Sequence, residues 1–349
     1  MKAAVYRGAN DVRVEELPIP EISRGEMLVR VDACGVCGTD VKKVKQGFLS
    51  PPRIFGHEIA GTVARLGSGV SRFQEGQRVV VHHHIPCRAC FFCEAGLFAQ
   101  CAVYKQNGTS AGFEPAGGGY AEYLKASDWI VSNGTIAIPD GVRADEAAFV
   151  EPVNTCLKAV RTLGLTRETS VLVVGQGPIG LLLTQLVKRE GAIALASDTL
   201  PDRLALARSF GALAVLDAAR QDVRAACRAA TAHGGVDCAI VAAPGQSAMD
   251  QAIEATRPGG KILIFAATAP GEAAEVDFGR LCSSEKQILT SYSASVEIQD
   301  EAAEVVFARE VRVLELISHR LPLDKAPEAF GLAGQARPGV LKVMLEMRA

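Results

Sequence analysis

The stretch VLVVGQGPIG, residues 171–180, runs from an apolar segment into a G-x-G-x-x-G loop, and an apolar helical pattern follows from Pro178 to Arg189. A glycine loop of this kind is by itself weak evidence of dinucleotide binding. A strand before it and a helix after it are the context that such binding requires. The sequence therefore predicts a dinucleotide-binding βαβ unit around residues 175–180.

Each position of this loop has its own role in that interpretation. Gly175 makes the turn, Gly177 lets the backbone approach a pyrophosphate, and Gly180 allows the helix to pack on the strand. Pro178 and Ile179 open the helix, where free N–H groups and the helix dipole favour an anion. We expect these five residues to form the phosphate part of the cofactor site.

The next predicted strand ends at Asp198, 18 residues after Gly180. A carboxylate there accepts hydrogen bonds from the adenosine ribose hydroxyls and repels a 2′-phosphate, so NAD is predicted in preference to NADP. Arg203 lies nearby in sequence and is expected to stack on the adenine or, as the weaker alternative, to meet a phosphate.

Apolar strands alternate with helices beyond the loop, which indicates a parallel sheet covered on both faces. The fold class predicted for this part is α/β, a doubly wound parallel sheet of the Rossmann type. Strands are predicted at Val171–Val174, Ile193–Ser197, Ala214–Leu216, Asp237–Ala242, Lys261–Ala266 and Gln287–Ser291, and helices at 178–189, 201–210, 218–232 and 247–257.

The first 150 residues read instead as short strands separated by Gly/Pro/Ser turns, which favours a partly closed barrel or a twisted antiparallel sheet. The predicted strands include Met27–Val31, Ile59–Leu66 and Arg78–His82. After residue 300, a helix at Glu301–Glu310 and strands at Val311–Leu316 and Val340–Leu345 are expected to return to this β-rich part.

A candidate catalytic metal site lies between Cys37 and Glu58. A thiolate, an imidazole and a carboxylate suit Zn²⁺, and Cys37, His57 and Glu58 supply them. Asp40 is expected to orient the histidine, and the Thr39 hydroxyl to relay a proton from the bound substrate. Either Cys37 or His57 alone would be better explained as a buried core residue.

Four further cysteines predict a second, structural zinc site. They follow the pattern C-x2-C-x2-C-x7-C at Cys87, Cys90, Cys93 and Cys101, on a loop of small and polar residues. Such spacing matches a closed tetrahedral Cys₄ site. An iron–sulfur cluster also uses four cysteines, but its usual run differs in the last spacing.

Composition excludes other classes of function. The chain has 349 residues, of which 48% are hydrophobic and 22% charged, with a net charge of −2. Without a Lys/Arg cluster, neither a nucleic-acid nor a membrane-surface partner is predicted. Residues 1–8 lack the apolar segment of a signal peptide, so ten cysteines point to a reducing cytoplasm rather than to disulfides.

Together these residues resemble the zinc-dependent medium-chain alcohol dehydrogenases, most closely the branch of sorbitol (polyol) and L-threonine dehydrogenases. The resemblance covers essentially the whole chain. It includes G-V-C-G-T-D at 35–40, G-H-E-x-x-G-x-V at 56–63, the Cys₄ segment, G-Y-A-E-Y at 119–123, the pair Glu151-Pro152 and the glycine loop.

The resemblance implies a GroES-like catalytic domain at 1–153 and 300–349, a Rossmann NAD-binding domain at 154–299, and a homodimer or homotetramer. It implies Cys37, His57 and Glu58 as ligands of the catalytic zinc. Glu151 resembles a further carboxylate near the metal, and whether Glu58 or Glu151 binds directly stays open.

Other positions are assigned by resemblance or differ from the family. His84 occupies the place of an active-site histidine of threonine dehydrogenases, whereas His82 and His83 are interpreted as strand-end residues or contacts to solvent. Asn154 and Thr155 are expected to face the nicotinamide or substrate, with a helix N-cap as the alternative.

Lys42 stands where relatives often have the last histidine of a proton relay. The loop 104–118, with Phe113 and Glu114, is expected to shape the substrate pocket.

The resulting hypothesis is NAD-dependent interconversion of a secondary alcohol and its ketone by a zinc enzyme. A threonine or other amino-alcohol dehydrogenase is the alternative within enzymes. A zinc-free quinone or enone reductase is disfavoured because both metal sets are intact. An NAD-binding protein without turnover is the alternative from another class.

Overall fold

The β-rich and the parallel-sheet parts of the chain form separate units in the computed structural model, which describes residues 1–113, 117–266 and 271–347. The first unit comprises Met1–Asn154, Ala294–Gln335 and Val340–Ala349, and the second comprises Thr155–Ser293 and Ala336–Gly339. Glu114, expected to shape a pocket, lies outside the described residues.

The N-terminal part of the chain is mostly short strands. They are β1 (Lys2–Gly8), β2 (Asp11–Glu16), β3 (Met27–Gly35), β4 (Glu58–Leu66), β5 (Arg78–Val81), β6 (Thr109–Ser110), β7 (Tyr123–Ala126) and β8 (Thr135–Ala137). The helices are α1 (Gly38–Gln46), α2 (Phe91–Glu94), α3 (Asp128–Asn133), α4 (Ala144–Ala147) and α5 (Val150–Leu163).

The second unit alternates strands and helices. Its strands are β9 (Ser170–Val174), β10 (Ile193–Asp198), β11 (Ala214–Asp217), β12 (Val236–Val241), β13 (Thr256–Ile264) and β14 (Gln287–Thr290). Its helices are α6 (Pro178–Arg189), α7 (Pro201–Ser209), α8 (Val223–Ala230), α9 (Gln246–Ala255) and α10 (Phe278–Ser283).

The six strands of the second unit form one parallel sheet in the order β11-β10-β9-β12-β13-β14. The chain runs from β9 outward to β11 and then crosses to β12 on the other side of β9, so the strand order reverses between β9 and β12. Ligands of doubly wound folds bind at the carboxyl ends of the strands beside such a switch point. The predicted α/β class is confirmed, and its glycine loop follows β9 directly.

The C-terminal segment returns to the first unit. It contains α11 (Gln299–Phe307), β15 (Ile317–Pro322), α12 (Ala326–Ala333) and β16 (Lys342–Glu346). β16 pairs antiparallel with β3, in a curled sheet of order β15-β16-β3-β4-β5-β8, with β7 also on β3. The predicted β-rich architecture of this part is therefore confirmed, and both chain ends contribute to it.

Several predicted elements were wrong in extent or type. Val311–Leu316 is not a strand: Val311, Val313 and Leu316 are buried, so their apolar alternation reflects packing rather than pairing, and the strand β15 follows them. The helix predicted at 218–232 begins later, because Asp222 caps it by accepting a hydrogen bond from the Ala225 N–H.

None of the helices in the described ranges is long and apolar enough to cross a membrane.

Candidate active site

The ends of two antiparallel strands bring the first metal set together. β3 ends at Gly35 and β4 begins at Glu58, and these residues are direct cross-strand partners. Cys37 caps α1 two residues beyond β3, and its Sγ accepts a hydrogen bond from the Thr39 N–H at 3.4 Å. His57 directly precedes β4. The ligand atoms of Cys37, His57 and Glu58 lie within 4.8 Å of one another.

This donor set fits a catalytic zinc ion. Three protein ligands leave the fourth position of a tetrahedral site open. Asp40, fully buried on α1, places its Oδ2 3.1 Å from His57 Nδ1, which leaves Nε2 for a metal. The same carboxylate accepts a hydrogen bond from the Gly56 N–H and lies 2.9 Å from Lys43 Nζ. Asp40 therefore fixes the ring orientation of His57, as carboxylates behind metal-binding histidines do.

The charges of His57 and Asp40 stabilise each other. Burial disfavours the imidazolium, but the Asp40 carboxylate and the Cys37 thiolate raise the pKa of His57 well above its ordinary value. Burial likewise opposes ionisation of Asp40, and the positive charges of His57 and Lys43 hold the pKa of that carboxyl far below its usual range. Asp40 is thus a fixed anion.

Sequence reasoning missed Lys342, which is the partner of Glu58. Its Nζ lies 2.6 Å from Glu58 Oε1, with side-chain exposures of only 6% and 2% for the two residues. Burial disfavours the ammonium, but the Glu58 carboxylate raises the pKa of Lys342 above its ordinary value. The pairing fixes the position of Oε1 of Glu58. A Cβ at Gly35 would overlap Oε2, so glycine there makes room for the second oxygen.

Glu151 lies in the first turn of α5 and is 7% exposed. Within the described residues it falls outside the tight cluster of ligand atoms formed by Cys37, His57 and Glu58. Burial, opposed by His57 and assisted by Glu58, raises the pKa of Glu151 to about 7. The charges of His57 and Glu58 therefore affect the pKa of the Glu151 carboxyl, and a bound cation would favour its ionised form.

The predicted proton relay begins on α1. Thr39 is half-buried in the first turn of this helix, two residues after Cys37, and Lys42 is half-buried one turn further on. The relay role of Thr39 stays a prediction.

The three consecutive histidines follow β5 and are buried. His82, His83 and His84 are 4%, 9% and 9% exposed, so the expected contact of His82 and His83 with solvent is wrong. The His83 ring is centred 4.9 Å from the His57 ring and 3.7 Å from the His84 ring, which contacts Tyr104 at 4.0 Å. Burial lowers the pKa of all three below the ordinary value, that of His82 to about 4.

Several nitrogens of these histidines have no protein hydrogen-bond partner in the described part of the chain: His82 Nε2, His83 Nδ1 and both nitrogens of His84. An unsatisfied buried polar group costs about 1–3 kcal/mol, so each calls for an explanation.

Asn154 and Thr155, which follow the Glu151-Pro152 pair, lie in different environments. Asn154 is fully buried within α5, where its side chain exchanges two hydrogen bonds with the backbone of Ser295 at 3.0 and 2.9 Å. Since α5 begins at Val150, the alternative of a helix N-cap is wrong, and Asn154 fastens α5 to residue 295. Thr155 is half-buried on the same helix, and its predicted contact with the cofactor stays a prediction.

The four cysteines of the second set converge on a small lobe around α2. The Sγ atoms lie 3.6 Å apart in Cys90–Cys93 and Cys87–Cys101, and 4.0 Å apart in Cys87–Cys93. Thiolates bound tetrahedrally to zinc at about 2.3 Å have edges of about 3.8 Å. The spacing therefore fits one zinc ion, whereas the several irons of a cluster would hold the sulfurs further apart.

The glycine loop in the second unit has the geometry that phosphate binding requires. Gly175 has φ +90°, and Gly177 is the N-cap of α6, with Pro178 in its first turn. A Cβ at Gly180 would overlap the carbonyl oxygen of Gly175, whereas one at Gly177 would lie 3.9 Å from Arg203 Nη1. The N-terminus of α6, where Ile179 is half-buried, is thus left open to an anion.

Asp198 ends β10 with its carboxylate fixed by the backbone. Its Oδ2 accepts a hydrogen bond from the Gln176 N–H at 2.6 Å, and Oδ1 accepts one from the Leu200 N–H at 2.9 Å. Arg203 on α7 places Nη1 3.9 Å from Oδ2. Each carboxylate oxygen keeps a second lone pair, so Asp198 retains capacity to accept ribose hydroxyls.

Comparison with known proteins shows which family the chain is similar to. The sequence profile of the alcohol dehydrogenase GroES-like domain matches residues 23–139, and that of the zinc-binding dehydrogenases matches residues 178–308. The chain is 30% identical to sorbitol dehydrogenase of Bombyx mori over 99% of this chain and 98% of the relative. It is 29% identical to sorbitol dehydrogenase of Bacillus subtilis over 99% and 97%.

Solved structures include close matches to the whole chain. A protein of Sinorhizobium meliloti, assigned as a zinc-binding dehydrogenase and crystallised with NADP, superposes with a TM-score of 0.87 at 29% identity, covering 99% of this chain and 98% of that one.

Proposed function

This chain belongs to the zinc-dependent medium-chain alcohol dehydrogenase family, and we propose that it interconverts a polyol or sugar-derived secondary alcohol and its ketone with NAD. It is an alcohol oxidoreductase that uses zinc and a nicotinamide dinucleotide. The observation that carries the proposal is the cluster of Cys37, His57 and Glu58, which leaves one metal position for a substrate oxygen.

The residues of the first unit divide the work at the metal. Cys37, His57 and Glu58 would hold the zinc ion, which would supply Lewis-acid chemistry to the substrate hydroxyl. Asp40 keeps His57 in the metal-binding orientation. Lys342 pairs with one oxygen of Glu58. Glu58 rather than Glu151 is the proposed direct ligand, because its ligand atom clusters with those of Cys37 and His57.

Proton movement is assigned to residues beside this cluster. We assign to Thr39 the role of accepting the proton of the substrate hydroxyl and passing it outward along α1. Glu151, buried in the first turn of α5, is a second candidate for this role. His84 is assigned to substrate binding.

The second unit holds the cofactor that accepts the hydride. The N–H groups at the start of α6 would bind the pyrophosphate, and Gly177 would leave room for its approach. Asp198 would accept hydrogen bonds from the ribose hydroxyls and would disfavour a 2′-phosphate, which supports NAD over the NADP bound by the Sinorhizobium meliloti protein. Arg203 is assigned to the adenine side of the site and Thr155 to the nicotinamide side.

The proposal extends to the setting of the enzyme. We place the catalytic domain at 1–153 and 300–349 and the cofactor domain at 154–299, in a cytoplasmic homodimer or homotetramer. Reduced thiols at the Cys₄ lobe suit that compartment.

The test is NADH formation by zinc-loaded protein with polyols, sugars, amino alcohols and simple secondary alcohols, with NADP⁺ in parallel. We expect turnover of polyols with NAD⁺. The Cys37→Ser variant is the control and should be inactive. Preferential turnover of threonine would shift the assignment to an amino-alcohol dehydrogenase. Tight NADH binding without turnover of any alcohol would refute the enzymatic proposal in favour of a binding protein.

A further inference from the structure

A fully buried tyrosine hydroxyl lies behind the metal set. Tyr120 belongs to the G-Y-A-E-Y segment, and its side chain is inaccessible to solvent. Its Oη lies 3.1 Å from the carbonyl oxygen of Gly35 and 3.1 Å from Asp40 Oδ2, and it accepts a hydrogen bond from the Cys37 N–H at 3.4 Å. One hydroxyl therefore contacts the end of β3, the N-cap of α1 and the buried carboxylate of α1.

The backbone of the same residue is bonded to the segment that carries His57. The Tyr120 N–H donates a hydrogen bond to the Phe55 carbonyl oxygen at 3.1 Å, and the Gly119 N–H donates one to the Gly56 carbonyl oxygen at 3.1 Å. Gly56 has φ +97°, and a Cβ there would come within 2.7 Å of the Tyr120 nitrogen, so this close approach requires glycine. Tyr120 is therefore fastened directly beside His57, while its hydroxyl reaches the segment that carries the thiolate ligand.

The position of the hydroxyl is set by the core of the first unit. The Tyr120 ring meets the Phe330 ring edge-on, with the ring centres 5.4 Å apart, and both residues belong to the buried core. The Tyr120 carbonyl oxygen accepts a hydrogen bond from the Ala4 N–H at 2.8 Å. The hydroxyl is thus a fixed point that does not depend on the metal-binding side chains for its place.

We propose that Tyr120 is a positioning residue, whose hydroxyl holds Cys37 and the Asp40–His57 pair in one metal-binding arrangement. The inference rests on the proposed function, because the set that Tyr120 positions is the one to which the catalytic zinc is assigned. Tyr120 acts through residues that bind the metal or orient a ligand, and it is not itself a ligand.

A hydroxyl group matches the three groups around it. It has one hydrogen to donate, which the Gly35 carbonyl oxygen and Asp40 Oδ2 share, and its lone pairs accept the Cys37 N–H. Phenylalanine would fill nearly the same volume but would remove the common partner of all three groups. Removal of a partner behind metal ligands weakens metal binding by about 10- to 100-fold.

The test is Tyr120→Phe, which removes the hydroxyl and keeps the ring. Zinc is withdrawn from each protein with increasing concentrations of a chelator, and the equivalent that belongs to the Cys37 set is identified as the one missing from Cys37→Ser. We expect Tyr120→Phe to bind this equivalent about 10- to 100-fold more weakly than wild type, with the Cys₄ equivalent unchanged. With cobalt(II) in place of zinc at the Cys37 set, the visible ligand-field bands should shift, because they report the coordination geometry.

Tyr6→Phe is the matched control. Tyr6 is 1% exposed in the same core, and its hydroxyl donates a hydrogen bond to the Leu49 carbonyl oxygen at 3.2 Å. Both variants lose one buried hydroxyl with a backbone acceptor, so both should show a similar small fall in melting temperature. Only Tyr120→Phe should change zinc affinity and the cobalt spectrum. Unchanged zinc affinity in Tyr120→Phe, or an equal loss in the two variants, would overturn the positioning role.

Zinc affinity and the cobalt spectrum need no turnover, so they separate this inference from the proposed function. A weaker zinc site in Tyr120→Phe supports the positioning role even if wild type turns over no alcohol, a result that would refute only the enzymatic proposal. Turnover of polyols by wild type, together with unchanged zinc affinity and an unchanged spectrum in the variant, would overturn the positioning role alone.

Discussion

At the scale of single residues, the buried ion pair of Lys342 and Glu58 lies directly behind one ligand of the metal set. Both side chains are nearly inaccessible, and their charged atoms lie 2.6 Å apart. Pairs of this kind add little net stability compared with apolar residues, but removing one member leaves an isolated buried charge. Lys342 is therefore a residue that positions Glu58 rather than one that touches substrate.

We predict that Lys342→Met destabilises the first unit by about 3–5 kcal/mol, because it leaves the Glu58 carboxylate buried and unpaired. The double variant Lys342→Met/Glu58→Gln should recover much of this loss, since no charge is then stranded. Urea unfolding of chelator-treated protein measures both. Equal destabilisation of the single and double variants would mean that Lys342 acts through packing alone.

At the scale of elements, Asp145 of α4 connects two arginines from distant parts of the first unit. It is 4% exposed and lies 2.8 Å from Arg143 Nε and 2.7 Å from Arg320 Nη2 on β15. Burial opposes its ionisation, but these hydrogen bonds hold the pKa of Asp145 below its ordinary value. The stabilisation it contributes is therefore present above the unfolded-state pKa and is lost as the pH falls through the lowered folded-state pKa.

We accordingly expect Asp145→Asn to lower the free energy of unfolding by about 1.5–3 kcal/mol at pH 7, the range for hydrogen bonds to charged groups. The difference from wild type should shrink as the pH falls below about 4, where the wild-type carboxyl begins to protonate in the unfolded chain. Urea unfolding at several pH values checks this. The fully exposed Asp140 is the control, and Asp140→Asn should behave as wild type throughout. A pH-independent difference at position 145 would contradict the electrostatic explanation.

The glycine loop permits a second test at this scale. A Cβ at Gly180 overlaps the Gly175 carbonyl oxygen, whereas one at Gly177 lies 3.9 Å from Arg203 Nη1, an ordinary van der Waals distance. We predict that Gly180→Ala weakens NADH binding by about 10- to 100-fold and also lowers the melting temperature, equivalent to roughly 1–3 kcal/mol of overpacking. Gly177→Ala should weaken NADH binding without lowering the melting temperature. Fluorescence titration and thermal unfolding separate the two. A Gly177→Ala variant with unchanged affinity would rule out close approach of the pyrophosphate there.

At the scale of the whole molecule, sequence reasoning succeeded where the signal was local. The parallel sheet could be predicted because β9, the loop 175–180 and α6 are contiguous, and the four cysteines of the second set lie within 15 residues. The pairing of Lys342 with Glu58 could not be predicted, because the two residues are 284 positions apart and Lys342 is a single lysine within a predicted strand. The segment 311–316 misled because burial and strand pairing produce the same alternation. The packing of the His83 and His84 rings depends on how residues 104–109 pack, which no short pattern encodes.

The two cysteine-containing metal sets have different consequences for the whole chain. The set around Cys37 positions a reacting group, whereas the Cys₄ set crosslinks a small lobe. The buried residues of that lobe are Cys93, Cys101 and Tyr104. A lobe this small gains little from apolar burial, so a structural metal would supply much of its folding energy. Removing each site should therefore change different properties of the protein.

We predict two equivalents of zinc per chain in the purified protein, and one in either Cys37→Ser or Cys90→Ser. Cys37→Ser should keep a melting temperature close to wild type while losing turnover, because α1 and β4 are held by the surrounding sheet. Cys90→Ser should lower the melting temperature by several degrees, since the lobe at residues 87–101 loses its crosslink. Elemental analysis and calorimetry test both. A Cys90→Ser variant with one zinc and an unchanged melting temperature would contradict the structural role, because the lobe would then fold without its metal.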